Sequence, residues 1–584
     1  MINLFRAFFE MLLQNYFSLI DIQRWCRKLD MEKLNKTLDL TKTFNRLNHL
    51  IALEKHDITA VFMVAFIVGI LSLATPIAVQ TLVNTVAMGG VLQPLFIVAI
   101  MLFILLIFSG ILQIAERYLI EFIQRRLWVR TAIEAGIKAQ GLDIASQDNH
   151  DSIEVMNHFF EVPAMRSSVD FLLADGMISI LRMTIGSLAL LFYSPYYFIA
   201  SLIMFIILWF IIRVLGRDAI DAAIDHSYPK YDLVAYLTST VRNLRASKFA
   251  VDHEYGPQKI DELSNSYLDK RARYFDILIR QDIAGRLTYA FGITSMLSLG
   301  AWLVMQGDLN LGQFVAAELI IFGVLVAYVK IILILKSYYE LVAGLNKLNA
   351  IQDLPEERGG NHDVPLGLPA FVDFNQVSFS FDHQDQVVKQ LTFSLPSGSS
   401  NAIIGQTGSG KSTLVDLITG LRSPASGVVM INGVDLRDAN MEALRAQVSS
   451  VKNIEIFESS ILDNLRLGHK DITVDSLINV LRSLGLFKAV LQLKDGLETK
   501  LSITGLPLTN HQLRVLMVAR AVIHKPVLVI VDELLDDLDE VELKPVLEYL
   551  FAGLNQWTLL ILTKDQGIAG QCQHIIKLES RHEL

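Results

Sequence analysis

Six apolar stretches, each near the ~20 residues an α-helix needs to cross the hydrocarbon of a bilayer, decide most of what this chain can fold into. They run over residues 58–86, 92–114, 171–193, 197–215, 283–305 and 311–335. After about Pro355 no such stretch recurs, and short β-branched runs such as 527–531 alternate with helical patterns, as in an α/β domain with a largely parallel sheet. Mean hydropathy is +0.41. Charged residues make up only 19% of the chain, below the roughly 25% of soluble domains. A purely soluble multidomain enzyme, a disordered chain and a fibre are excluded. The net charge of −9 argues against a nucleic-acid partner bound through its phosphates. Two cysteines, Cys26 and Cys572, cannot build a disulfide framework or a multi-cysteine metal site.

The basic residues set an orientation. The loops near 88–94, 194–196 and 306–310 contain no Lys or Arg, whereas Arg24, Arg27, Lys28 and Lys55, then Arg125, Arg126 and Arg130, then Arg217, Lys230, Arg242 and Lys248 fill the complementary segments. By the positive-inside rule both termini lie in the cytoplasm of a multi-pass protein of the cytoplasmic (inner) membrane. Two long connections, 117–170 and 217–282, keep helical periodicity and predict helices extended beyond the bilayer. An amphipathic pattern near the start (Leu4, Phe5, Phe8, Phe9, Leu12, Leu13) predicts interfacial helices; Arg6, Glu10 and Asn15 interrupt it too often for a signal peptide. The expected division is 1–55 amphipathic helices, 56–345 a six-span domain, 346–369 a linker and 370–584 an α/β domain.

Gly405-Gln406-Thr407-Gly408-Ser409-Gly410-Lys411-Ser412 fits the P-loop pattern, followed by Thr413 at the start of a helical run. It follows a strand-like run, 400–404, which is the context phosphate binding needs. Glycines let backbone N–H groups curl around phosphates, and a helix N-terminus favours the negative charge. Lys411 would reach the β- and γ-phosphates of ATP, and Ser412 would coordinate Mg²⁺. Some 120 residues on, the apolar run 527–531 ends in Asp532-Glu533. A carboxylate there can hold Mg²⁺, and its neighbour can polarise an attacking water.

Taken together, six spans with long extensions followed by a P-loop domain resemble a half-size ABC exporter, over nearly all of residues 46–584. The segment Gly300–Gln313 is similar to that family's turn between the last two spans, residues 374–381 to the strand carrying the adenine-stacking aromatic (here Phe381), and Asp536–Asp539 to its D-loop. The resemblance implies a six-helix transmembrane domain of ABC exporter type plus an α/β P-loop nucleotide-binding domain. It also implies a dimer in which each P-loop faces the partner's signature segment, and short turns near residues 147–157 and 237–249 that dock on the nucleotide domains.

Against that family three motifs depart, at Asn510 and His511, at Lys452 and at Lys564. The LSGGQ signature aligns with Leu508-Thr509-Asn510-His511-Gln512, where Thr509 keeps a hydroxyl but His511 lacks the backbone freedom of glycine. The glutamine that helps hold Mg²⁺ and water aligns with Lys452, and the γ-phosphate histidine with Lys564. The implied nucleotide contacts are therefore Phe381, Gly405 to Thr413, Lys452, Thr509, Asp532 and Lys564; Ser412 and Asp532 form the metal pair, and Glu533 and Lys411 the catalytic pair. The expectation is an ATP-binding/permease subunit that exports a peptide or protein, a lipid or a drug. It hydrolyses slowly as a homodimer or relies on a heterodimeric partner, with a periplasmic adaptor as a further partner. The alternative is an ATP-binding, hydrolysis-poor regulatory or scaffold component. Within the spans, Asp175 and Arg182 share a helix face and Glu318 lies in the last span; an interhelical ion pair that fixes packing is expected.

Overall fold

The computed structural model describes residues 31–87, 92–148, 152–249, 254–357, 359–365, 368–381, 386–406, 408–469 and 471–578. The amphipathic pattern of residues 4–13, Cys26 and Thr407 lie outside them. Two compact units divide the chain: one runs to Leu142 and resumes over His150–Leu354, the other joins Asp143–Asn149 to Pro355–Leu584.

The first unit is helical, with six helices among the described residues long and apolar enough to cross a membrane: Lys55–Ala87, Gln93–Gln140, Glu154–Leu191, Pro195–Leu215, Tyr255–Gln306 and Leu311–Gln352. At 1.5 Å per residue the 52 residues of Tyr255–Gln306 span about 78 Å against ~30 Å of hydrocarbon. The extended-helix expectation holds for one side of each long connection. Helix Leu92–Gln140 runs on without a break, while 217–248 is divided into Ala219–Ser227, Pro229–Arg242 and Leu244–Lys248. The last span begins with a capping box, in which Asn310 Oδ1 accepts from Gln313 N at 2.8 Å and Gln313 Oε1 accepts from Asn310 N at 3.0 Å. Its helix continues to Gln352, into the stretch 346–369 read from the sequence as linker.

The first span is broken at Ser72–Leu73 into Lys55–Leu71 and Ala74–Ala87. Pro76 falls in the first turn of the second piece, where a missing N–H costs little. A Cβ on Gly69 would come within 2.8 Å of Ile185 Cδ1, so this glycine serves close helix packing. Among the intramembrane charges, Asp175 pairs with Lys330 of the last span at 3.0 Å, not with Arg182. Arg182 Nε and Glu116 Oε1 are buried with no hydrogen-bond partner among the described residues.

Twelve residues past the last apolar stretch, Lys347 is wholly buried. Its ammonium donates to the Ser227 carbonyl. It lies 3.7 Å from the Tyr231 ring centroid and 4.9 Å from that of Tyr228, and pairs with Glu161 at 3.4 Å. Burial pushes this lysine down to about 7, with Glu161 opposing.

The second unit holds two sheets. A four-stranded antiparallel sheet, order β2-β1-β4-β5, uses β1 (Val372–Ser380), β2 (Gln386–Leu395), β4 (Ser426–Ile431) and β5 (Val434–Asp435). The sequence reading of a largely parallel sheet describes the other one, order β6-β7-β8-β3-β9. It is built from β3 (Ser400–Ile404), β6 (Val448–Val451), β7 (Leu528–Asp532), β8 (Thr558–Thr563) and β9 (His574–Lys577). Leu528, Val529, Ile530 and Val531 are all fully buried, because a parallel strand covered on both faces must be apolar on both. In register, Val451 lies beside Val531, Asp532 beside Leu562, and Ile404 beside Thr563. Four adjacent strands therefore end along one edge.

Candidate functional site

That edge is where ligands bind in open α/β sheets, outside the carboxyl ends of the strands. β3 runs into the phosphate loop, β6 into Lys452, β7 into Asp532 and Glu533, and β8 into Lys564. The parallel register thus gathers residues separated by up to 159 positions of chain.

Gly408 and Gly410 adopt φ of 85° and 89°, conformations that favour glycine, and they turn the chain from β3 into helix Lys411–Ile418. Lys411 is the first residue of that helix and only 4% exposed. Its Nζ donates to the carbonyls of Gly405 at 2.6 Å and Gln406 at 3.0 Å, and pairs with Glu533 at 3.0 Å. Glu533 itself has φ of 53°, a left-handed setting that costs a non-glycine residue on the order of 1 kcal/mol. Its N–H donates to Leu562 O at 2.8 Å, so β8 holds it there. The strained turn aims its carboxylate at two lysines, because Lys564 Nζ also donates to it, at 2.7 Å. Burial acts to raise the Glu533 carboxyl, but the hydrogen bonds from Lys564 and Lys411 outweigh it and hold it below the usual range. The same bond raises Lys564.

Asp532 is 1% exposed, and neither of its oxygens accepts a hydrogen bond of ordinary geometry. Burial raises its carboxyl, partly offset by the neighbouring Ser412 hydroxyl and by Lys452. A buried, unsatisfied carboxylate beside a hydroxyl is what a small hard cation needs, so Ser412 and Asp532 fit Mg²⁺. Lys452 Nζ stands 3.8 Å from Asp532, which puts an ammonium where the metal's third side-chain ligand was expected. The D-loop is fastened from both sides. Thr563 Oγ1 donates to Asp536, Lys564 N donates to Asp536 at 2.9 Å, and Arg514 donates to Leu534 O at 3.2 Å and Asp537 at 2.5 Å.

Thr509 caps helix Asn510–Ile523, accepting from Gln512 N at 3.3 Å, while Gln512 Oε1 accepts from Thr509 N at 3.0 Å. His511 Nδ1 lies 3.0 Å from Glu542. The Thr509–Gln512 pair is a capping box, a helix start that satisfies its own N–H groups. Phe381, the aromatic expected to stack adenine, is edge-on to Phe379 with ring centroids 5.2 Å apart. The sequence reading missed its neighbour Arg422, whose guanidinium carbon lies 4.7 Å from the Phe381 centroid. Arg422 also binds Asp148 through two bonds of 2.6 and 3.0 Å and pairs with Asp416 at 3.2 Å. The only signal available was a single arginine after the P-loop helix. Asp143–Asn149, which overlaps the start of the expected docking segment 147–157, groups with the second unit. The second expected segment, 237–249, lies in the helical unit, and helix Leu244–Lys248 buries none of its residues.

Comparison with known proteins adds the family. The model of the ABC transporter transmembrane region matches residues 58–329, and that of the ABC transporter matches residues 388–536. The chain is 23% identical over 532 residues to the alpha-hemolysin translocation ATP-binding protein HlyB of Escherichia coli O157:H7, covering 89% of this chain and 74% of that one. It is 24% identical over 402 residues to the uncharacterized ABC transporter ATP-binding protein YknV of Bacillus subtilis (strain 168), covering 66% of each. A structure of a bacterial Atm1-family ABC exporter with ATP bound superposes with a TM-score of 0.81 at 17% identity, covering 90% of this chain and 94% of that one, which speaks for the fold. With the membrane region and the ATPase domain matched in one chain, the protein belongs to the ABC transporters and has the build of a half-size ABC exporter.

Proposed function

We propose that the chain is the ATP-binding/permease subunit of an export pump of the cytoplasmic membrane, with both termini cytosolic, acting as a dimer that turns over ATP slowly. Residues 56–345 are assigned to the permease and 370–584 to the ATPase, joined through 346–369. Phe381 stacks the adenine. The loop Gly405–Gly410, with Lys411, Ser412 and Thr413, cradles the phosphates. Ser412 and Asp532 hold Mg²⁺, which when bound neutralises charge on the β- and γ-phosphates. Thr509 of one chain faces the P-loop of its partner. The exposed Val241, Leu244 and Phe249 offer an apolar surface for docking on that partner.

One observation carries the slow turnover: the Glu533 carboxylate is hydrogen-bonded to both Lys411 and Lys564. A triphosphate entering the loop recruits Lys411, yet Lys564 stays on the carboxylate. A carboxylate neutralised in this way polarises water poorly. Replacing Lys564 with histidine, Lys564→Ala in parallel, should raise turnover about tenfold, a barrier change of ~1.4 kcal/mol. The assay is phosphate release by the purified chain in nanodiscs, with co-purifying chains identified to separate homodimer from heterodimer. Brisk turnover of the native homodimer that vanishes in Glu533→Gln overturns the reading. Similarity to HlyB over 89% of the chain favours a polypeptide cargo over a lipid or drug, and with it a periplasmic adaptor. A second reading, an ATP-occupied regulatory or scaffold component, draws on the signature segment. There Thr509 and Gln512 are engaged in capping their own helix and His511 is bound to Glu542.

A further inference from the structure

The strand ends collect more positive charge than a metal-dependent triphosphate site requires. Lys411, Lys452 and Lys564 converge on Asp532 and Glu533, three ammonium groups against two carboxylates. Each carboxylate has its own cation close by: Lys452 is 3.8 Å from Asp532, and Lys564 is 2.7 Å from Glu533. Lys452 and Lys564 are each 47% exposed, at the ends of β6 and β8, and each ammonium has three donors, so it can stay on its carboxylate and also reach a phosphate placed on Lys411. Neutral or weakly basic side chains at these two positions would leave the edge with a negative excess, and a triphosphate could then enter only with a divalent cation. Here the protein itself brings that charge.

We propose that this site binds nucleoside triphosphate free of divalent metal, with Lys452 and Lys564 supplying the positive charge that Mg²⁺ would otherwise bring. The inference rests on the reading of the Lys411 loop as the ATP site and deepens it. Ser412 and Asp532 remain able to hold Mg²⁺, but metal and Lys452 compete for the same carboxylate, so each makes the other less necessary. The arrangement suits a subunit that keeps nucleotide bound for long periods, because occupancy then does not depend on the metal whose chemistry leads to cleavage. It also predicts salt sensitivity. Flexible, exposed ammonium groups are screened by added salt more than an inner-sphere ion is.

The test uses the full chain in nanodiscs, with ATP as the probe and calorimetry as the readout. Binding is measured once in excess Mg²⁺ and once in EDTA, for the native chain and for the double variant Lys452→Gln/Lys564→His. Both positions are exposed, and the thermal midpoint without nucleotide verifies folding. The native chain should change its Kd by less than about threefold on chelation, and the double variant should weaken about tenfold or more, ~1.4 kcal/mol. A native chain that weakens tenfold in EDTA overturns the inference and leaves ATP binding intact. A double variant no more sensitive to EDTA than the native chain overturns the assignment to these two lysines. Absence of ATP binding under both conditions overturns the reading of the site itself, and this inference with it.

Discussion

Lys411 is 4% exposed and held by two main-chain carbonyls of its own loop, while Lys452 and Lys564, at the ends of neighbouring strands, are each 47% exposed and reach carboxylates through unsupported side chains. The floor of the nucleotide site is thus made by the backbone, and its rim by side chains. Glycines at positive φ, a helix start and buried strands leave the floor little freedom; altering it disturbs the fold. The rim can change its chemistry without touching a single strand. That difference suits a chain whose P-loop and strand-end Asp-Glu pair resemble the family's while, on the alignment proposed from the sequence, Lys452, His511 and Lys564 do not.

The largest effect should come from the floor. Lys411→Ala removes a charged donor aimed at the phosphates and should weaken ATP binding about a hundredfold, ~3 kcal/mol, by calorimetry. If the loss is as small as that caused by a rim lysine, the distinction between floor and rim is wrong. Phe381→Ala should cost less, about tenfold in ATP affinity, in line with ~1–3 kcal/mol for a base stacked on an aromatic side chain; Phe381→Tyr should preserve it.

Lys347 sharpens the comparison, because it is a buried lysine whose ammonium meets aromatic rings rather than phosphate. Its value in the folded protein, about 7, lies below that of an unfolded lysine, so the unfolded chain binds more protons between those two values. Stability should therefore rise with pH from about 7 upward, by at most ~1.4 kcal/mol per pH unit, and Lys347 should add no slope well below 7. Thermal midpoints across that range should climb for the native chain and flatten in Lys347→Met. The smallest expected change is Arg422→Ala. It should leave ATP affinity within about threefold, since its ion pairs run to Asp148 and Asp416 and not to the phosphate loop, while releasing segment 143–148 to faster hydrogen exchange.

Much of this fold was legible in the residues. Continuous apolar length has a single physical meaning in lipid, so the six spans and the α/β domain after them were readable. The loop from Gly405 to Ser412 was readable too, because its spacing reflects local geometry. The antiparallel sheet of β1, β2, β4 and β5 was not read from the sequence, since register shifts between β1 and β2 break the alternation along them. The interhelical ion pair was expected, but the partner of Asp175 was not legible. Seven residues apart placed Arg182 on the same helix face, but Lys330, 155 positions away, makes the bond. Spacing along one helix reports which side a residue faces and says nothing about which helix packs there.

The sequence by itself determined that this protein carries six stretches long and apolar enough to cross a bilayer and a loop patterned for phosphate, because both are properties of contiguous residues. Only the tertiary structure decided what that loop meets. Strands β6, β7 and β8 lie parallel and in register, so Lys452, Asp532, Glu533 and Lys564 come to a common edge although no local pattern links them. Their distances, and the competition between ammonium and metal that follows, arise from hydrogen bonds between strands far apart in the chain.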